Sequence, residues 1–115
     1  MDVQRLVQII ASVMPADAEI NEMPADDSFA LEVRWRLNND PDRPNKKSKT
    51  IRISVSREAA TDFADLSDAN QVAAYERIAQ FLATKLARYD PNHNAPKYEP
   101  PPVEVWLVGT NVLHR

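Results

Sequence analysis

The chain has 115 residues, of which 43% are hydrophobic and 27% are charged, and these values are typical of a single folded domain. It contains no cysteine, which excludes disulfides, thiol nucleophiles and cysteine-based zinc sites. The single glycine, Gly109, excludes the glycine-rich loops that hold nucleotide phosphates. The net charge of -3 argues against diffuse attraction to nucleic acid or anionic lipid, although a local basic patch can override that total.

The sequence also lacks the usual membrane and export signals. No apolar run approaches the ~20 residues that a membrane-spanning helix needs. The first residues, Met1-Asp-Val-Gln-Arg-Leu6, lack the basic region and the apolar stretch of a secretory signal. We therefore expect a cytoplasmic protein.

The first predicted element is a helix that begins after Asp2 and runs to about Met14. Asp2 is a residue type that caps helix N-termini, and Pro15 stops the helical pattern. Apolar residues recur at helical spacing in between, namely Val3, Leu6, Val7, Ile10 and Met14. The acidic stretch 16–28 is predicted to be a loop. Whether this loop contains a short edge strand stays open.

Two stretches alternate apolar and polar residues, as half-buried β-strands do. The apolar positions of the first are Phe29, Leu31, Val33, Trp35 and Leu37, and those of the second are Ile51, Ile53 and Val55. The polar, proline-containing residues 38–48 between them are predicted to form a mobile hairpin loop. We expect the two strands to pair antiparallel.

The second half of the chain predicts two helices and a strand. A short helix is predicted over 56–66, and a long one opens with Asp68 and Gln71 as a capping box and stops at Asp90, before Pro91. The apolar stripe of the long helix consists of Val72, Tyr75, Ile78, Ala79, Phe81, Leu82, Leu86 and Tyr89. Residues 91–102 are predicted to be a proline-rich spacer that leads into a strand over 103–108.

The order α-β-β-(α)-α-β predicts a single α+β domain over residues 1–115. We expect a two-layer sandwich in which two principal helices cover one face of a small, mainly antiparallel sheet of three or four strands, because this arrangement buries every apolar stripe. The other sheet face is then left to solvent or to a partner. It would carry Glu32, Arg34, Arg36, Arg52, Ser54 and Ser56.

The element order resembles that of the type II KH domain, in which a helix and strand precede a strand, two helices and a final strand. The nucleic-acid clamp of that family needs a GxxG loop between its paired helices. The corresponding place here reads Ala64-Asp-Leu-Ser-Asp-Ala69, whose two aspartates would repel phosphate. The resemblance concerns topology and implies no binding residues in this chain.

The arginine-bearing sheet face is the main candidate site. Strand alternation places Arg34 and Arg36 on one side of a strand, and antiparallel pairing can bring Arg52 beside them. Three lysines of the adjacent loop would extend this patch: Lys46, Lys47 and Lys49. Three interpretations stay open, namely a solvated sheet surface, a contact with a nucleic-acid backbone and a contact with an acidic protein.

Trp106 is the other candidate for partner binding. It shares a strand phase with Val108, opposite to Val103, Val105 and Leu107. If the last strand is central, Trp106 belongs to the core. If the strand lies at the edge, we expect Trp106 and Val108 to be exposed on the uncovered face, where an aromatic side chain can anchor a dimer.

The sequence contains no motif typical of a catalytic or metal-binding site. His93 and His114 are the only histidines, and neither belongs to an HxxxH or histidine–acid cluster, so we expect surface positions for both and no metal. We predict no enzyme, no cofactor and no small-molecule ligand.

The favoured function is a non-enzymatic protein-interaction module, with self-association through the uncovered sheet face as one form of it. The alternative is a nucleic-acid-binding module that uses the arginine face and the lysine-rich loop.

Overall fold

The structure, a computed structural model, describes residues 1–23, 29–38, 41–96 and 98–114. The predicted α+β class is confirmed, because helices cover a four-stranded, mostly antiparallel sheet within these residues. Parts of the predicted loops 16–28 and 38–48, namely residues 24–28 and 39–40, lie outside the described residues. The elements are α1 (Val3–Val13), β1 (Glu19–Met23), β2 (Phe29–Arg34), β3 (Thr50–Val55), α2 (Arg57–Ala64), α3 (Asp68–Ala87), β4 (Val103–Val108) and α4 (Thr110–Leu113).

The three longer helices each begin at a polar side chain that caps the first turn. Asp2 accepts a hydrogen bond from the backbone N–H of Gln4 (2.9 Å), and Ser56 accepts one from Ala59 (3.1 Å). The predicted start of α3 is wrong by one residue, because Ser67 is its N-cap and Asp68 is its first residue. Asp68 there complements the positive end of the helix dipole.

The sheet has the order β1-β2-β3-β4, so β4 lies at one edge. The expected antiparallel pairing of β2 with β3 is confirmed, and β1 adds antiparallel to β2. β4 runs parallel to β3, because α2, α3 and residues 88–102 return the chain to the end of the sheet at which β3 began. Both ends of the proline-rich segment lie beside the start of β3, since the N–H of Lys49 donates to Pro91 O and that of Thr50 to Pro102 O (both 3.0 Å).

One face of the sheet is buried beneath the helices. Leu82 of α3 is fully buried, as predicted, whereas Leu86 is only partly buried. Val72 was predicted in the core stripe of α3, and this is wrong, because its side chain is exposed on the flank of the helix. The core combines residues from all four helices with those of three strands: Leu6, Ile10, Leu31, Val33, Ile51, Ile53, Val55, Phe63, Ile78, Leu82, Trp106, Val108 and Leu113.

Trp106 belongs to this core although β4 is an edge strand. It pairs with Ile53 in the register of β3 and β4, so its side chain shares the helix-covered face. The ring of Tyr89 packs edge-on between those of Trp106 (centroids 5.5 Å apart) and Trp35 (5.9 Å). The expectation that an edge position would expose Trp106 and Val108 is therefore wrong, and the opposite phase of β4 faces outward.

Candidate functional site

The uncovered sheet face carries two arginine–glutamate pairs. Arg52 donates from Nη2 (2.8 Å) and from Nε (3.2 Å) to Glu32 Oε1 on the neighbouring strand. Arg34 donates from Nε to Glu19 Oε2 (3.2 Å), because β1 places Glu19 directly opposite Arg34. Both guanidinium charges are thus largely balanced on the sheet itself, and Glu19 is a partner that the sequence did not predict.

Glu19 also binds the loop that follows β2. Lys47 Nζ lies 2.7 Å from Glu19 Oε1, so one carboxylate holds β2 and the loop together. The hydrogen bond from Lys47 is the main cause that lowers the pKa of Glu19 below its ordinary value, and the hydrogen bond from Arg34 is the next. Arg36, which forms a backbone bridge with Lys47, is exposed and makes no ion pair with another described residue.

The three candidate lysines do not form one group. Lys46 and Lys47 lie beside Arg34 and Arg43 in a concave site of about 350 Å³. Lys49 instead lies on the helix-covered side, with Nζ 5.7 Å from the centroid of the Tyr89 ring. The expected patch of three lysines is therefore wrong in this respect, because Lys49 shares the strand phase of the buried residues of β3.

We refer to the concave site as the basic cleft. It lies between residues 42–47, which follow β2, and His93, Glu99 and Pro101 of the proline-rich segment. Within the described part of the chain, four cationic side chains line it, together with two carboxylates: Arg34, Arg43, Lys46, Lys47, Asp42 and Glu99. Their combined charge is positive on a chain whose net charge is -3, which makes the basic cleft a local exception to the charge of the protein.

Two side chains connect the walls of the basic cleft. His93 Nδ1 accepts a hydrogen bond from the N–H of Ala95 (3.2 Å), which leaves Nε2 to donate to the carbonyl oxygen of Lys47 (2.9 Å). Arg43 Nη1 donates to the carbonyl oxygen of Ala95 (3.2 Å). His93 is buried, so its predicted surface position is wrong. Arg43 was not predicted as a site residue either. The burial of His93 and the contact of Arg43 both join residues about half the chain apart, which local sequence patterns do not reveal.

The outward phase of β4 forms an apolar row of three residues. Val103, Val105 and Leu107 are exposed to 47%, 54% and 58%, respectively. They continue the uncovered face, since Val105 lies opposite Arg52 and Leu107 opposite Ser54. We name these three residues the β4 row; three of the six large hydrophobic residues exposed in the described part of the chain thus lie side by side on one edge strand.

A second cleft of about 370 Å³ lies between the end of α3 and β4. Lys85 and Arg88 line it on the helix side, and Glu104 lines it on the strand side. Glu104 Oε2 accepts a hydrogen bond from Trp106 Nε1 (2.8 Å), which satisfies the buried indole. Burial raises the pKa of the Tyr89 phenol, with smaller contributions from Glu104 and Asp90, so its hydroxyl stays protonated and donates to Lys49 O (3.2 Å).

The described residues contain no group of three histidine, aspartate or glutamate side chains that could hold a metal ion. None of the helices within them is both long enough and apolar enough to cross a bilayer. The chain matches no protein-family model, no curated protein and no solved structure.

Proposed function

We propose that this protein is a non-enzymatic protein-interaction module that self-associates by pairing the β4 edges of two copies. The observation that carries the proposal is the exposed β4 row on an edge strand. Edge strands are usually protected by charged side chains or proline. β1 fits this pattern with Glu19 and Glu22, whereas the six residues of β4 include a single charge, Glu104, and no lysine or proline.

The sequence of β4 is suited to pairing with itself about a two-fold axis. If Val105 lies opposite Val105 of the second copy, antiparallel register places Val103 opposite Leu107 of that copy. Every member of the β4 row then contacts an apolar residue across the axis. On the other face, Glu104 approaches the cleft of the second copy that Lys85 and Arg88 line, which adds complementary charge.

The expected dimer is weak and reversible. Each side chain of the β4 row is already about half buried, so burying the rest contributes roughly 1 kcal/mol each, or roughly 6 kcal/mol for two copies. Hydrogen bonds between the strands add about 0.5–1.5 kcal/mol each. Association costs ~4–15 kcal/mol in lost freedom of motion, so we expect a dissociation constant in the micromolar range or above.

Sedimentation velocity over a wide concentration range tests the proposal. Wild-type protein should shift from monomer to dimer, and Val105→Glu should stay monomeric because it places a charge at the centre of the β4 row. Val72→Glu is the matched control, since Val72 on α3 is 56% exposed and Val105 is 54% exposed. A wild-type protein that is monomeric throughout, or a Val72→Glu variant that dissociates equally, would contradict the proposal.

The alternative, a nucleic-acid-binding module, has less support from the arginine face. Glu19 and Glu32 balance Arg34 and Arg52 there, so fewer counterions would be released on binding a phosphate backbone. Polarisation binding to random single-stranded RNA at low and moderate salt distinguishes the two functions. Tight binding with a steep loss of affinity at the higher salt would favour the alternative.

A further inference from the structure

We infer that the basic cleft is a binding site for a small phosphate monoester. This inference does not depend on self-association, because the basic cleft is lined by residues 42–47, by Arg34 of β2 and by His93, Glu99 and Pro101, whereas the proposed dimer uses β4. It concerns a different ligand class from the partner proteins discussed above.

The charge of the basic cleft selects an anion. Among the described residues, the four cations Arg34, Arg43, Lys46 and Lys47 outnumber Asp42 and Glu99, which also line the basic cleft, and Glu19, which pairs with Arg34 and Lys47. The local charge is thus +1 with His93 as the Nε2–H tautomer, and the anionic oxygens of a phosphate monoester would be attracted to it. Glu99, on one wall, would repel a long polyanion that continued past the site, which favours a small ligand over a nucleic-acid strand.

The donors of the basic cleft suit the tetrahedral geometry of phosphate. Arg34 uses Nε for Glu19, and Arg43 uses one hydrogen of Nη1 for Ala95 O, so further N–H groups of each five-donor guanidinium remain. Lys46 adds an ammonium group that has no fixed donor direction. The cations therefore come from a strand and from a loop, and they can reach oxygens that point in different directions.

Two side-chain contacts link the walls of the basic cleft before any ligand binds. His93 and Arg43 join the loop to the proline-rich segment, and Pro44 and Pro101 restrict the backbone on either side. These links limit how far the two walls separate, even where the loop backbone exchanges faster than the sheet, and so lower the entropic cost of binding. The volume of about 350 Å³ lies at the small end of the ~300–1,000 Å³ common for ligand pockets, which suits a phosphorylated small molecule.

The test is an amide NMR titration with inorganic phosphate, at constant ionic strength maintained with sodium chloride. We expect saturable shifts that concentrate at residues 42–47 and 93–96. The double variant Lys46→Gln/Lys47→Gln should weaken phosphate binding by about tenfold, which corresponds to ~1.4 kcal/mol. The matched control, Lys49→Gln/Lys85→Gln, removes the same charge from residues outside the basic cleft and should change the affinity by less than about twofold.

Two further variants separate the loss of phosphate binding from the loss of the Lys47–Glu19 ion pair and from the loss of self-association. Lys46→Gln alone leaves the Lys47–Glu19 ion pair in place and should still weaken phosphate binding. Val105→Glu should bind phosphate like the wild type even if it abolishes self-association, so the two proposals fail separately. Phosphate shifts that do not saturate, or equal weakening in both double variants, would overturn the inference. So would tighter binding of succinate or of single-stranded RNA at the same residues, since either would assign the basic cleft to another ligand class.

Discussion

Replacing Leu82 with alanine removes three carbon atoms from a fully buried site on α3. The lost transfer free energy is roughly 0.8 kcal/mol per carbon, or about 2.4 kcal/mol, if the core closes completely around the shorter side chain. A cavity that stays open adds a term, and measured losses for such substitutions reach ~5 kcal/mol. Leu82 belongs to the same buried cluster as residues of β2, β3 and β4, so we expect little collapse around the shorter side chain. We therefore expect a loss of about 3–4 kcal/mol in the free energy of unfolding.

Urea denaturation followed by far-ultraviolet circular dichroism measures this loss. The measurement belongs in the Val105→Glu background, because a dimer would make the apparent stability depend on protein concentration. Leu86→Ala, at a partly buried position of the same helix, should cost less, and Val72→Ala should cost under about 0.5 kcal/mol. If Leu82→Ala also costs under about 0.5 kcal/mol with an unchanged urea dependence, the assignment of the α3 core face is wrong.

Three other predictions concern the basic cleft and its surroundings. The carboxyl of Glu19 should titrate below its ordinary pKa of 4.5, so its ion pairs stabilise the fold above that pH and lose this contribution as the pH falls through the lowered value. In Lys47→Gln, carbon-13 NMR should show the pKa of Glu19 rise towards 4.5; an unchanged value would contradict the assigned cause. Long-range proton–nitrogen spectra should show His93 with its proton on Nε2, and a proton on Nδ1 would refute the hydrogen bonds described. Amides of residues 41–47 should exchange faster than those of 51–55, and equal protection would refute the predicted mobility of that loop.

Much of the secondary structure could be predicted from local sequence alone. The alternation from Phe29 to Val33 and from Ile51 to Val55 identified β2 and β3, because side chains of a strand point to opposite faces at every second residue. The end of α1 followed from Pro15 by an equally local rule. β1 was harder, since its pattern Glu19-Ile-Asn-Glu-Met23 contains few apolar residues and its stability comes from pairing with β2.

Which phase of β4 faces the core was decided by tertiary structure. Alternation separates Trp106 from Val105 and Leu107, but it contains no information on the side from which the helices approach. The parallel register with β3 brings Trp106 beside Ile53 under the helices and turns the β4 row outward, even though β4 lies at the edge. The sequence determined the two phases, and packing against α3 determined which one is buried.

The basic cleft also combines residues that the sequence reveals with contacts that only the tertiary structure forms. Its positive loop residues Lys46 and Lys47 were visible in the sequence, and so was the proline-rich segment opposite. The contacts that join these parts, His93 to Lys47 and Arg43 to Ala95, link residues separated by 46 and 52 positions. No local pattern encodes such a pairing, because it exists only after the parallel return of the chain to β4 has laid the two segments side by side.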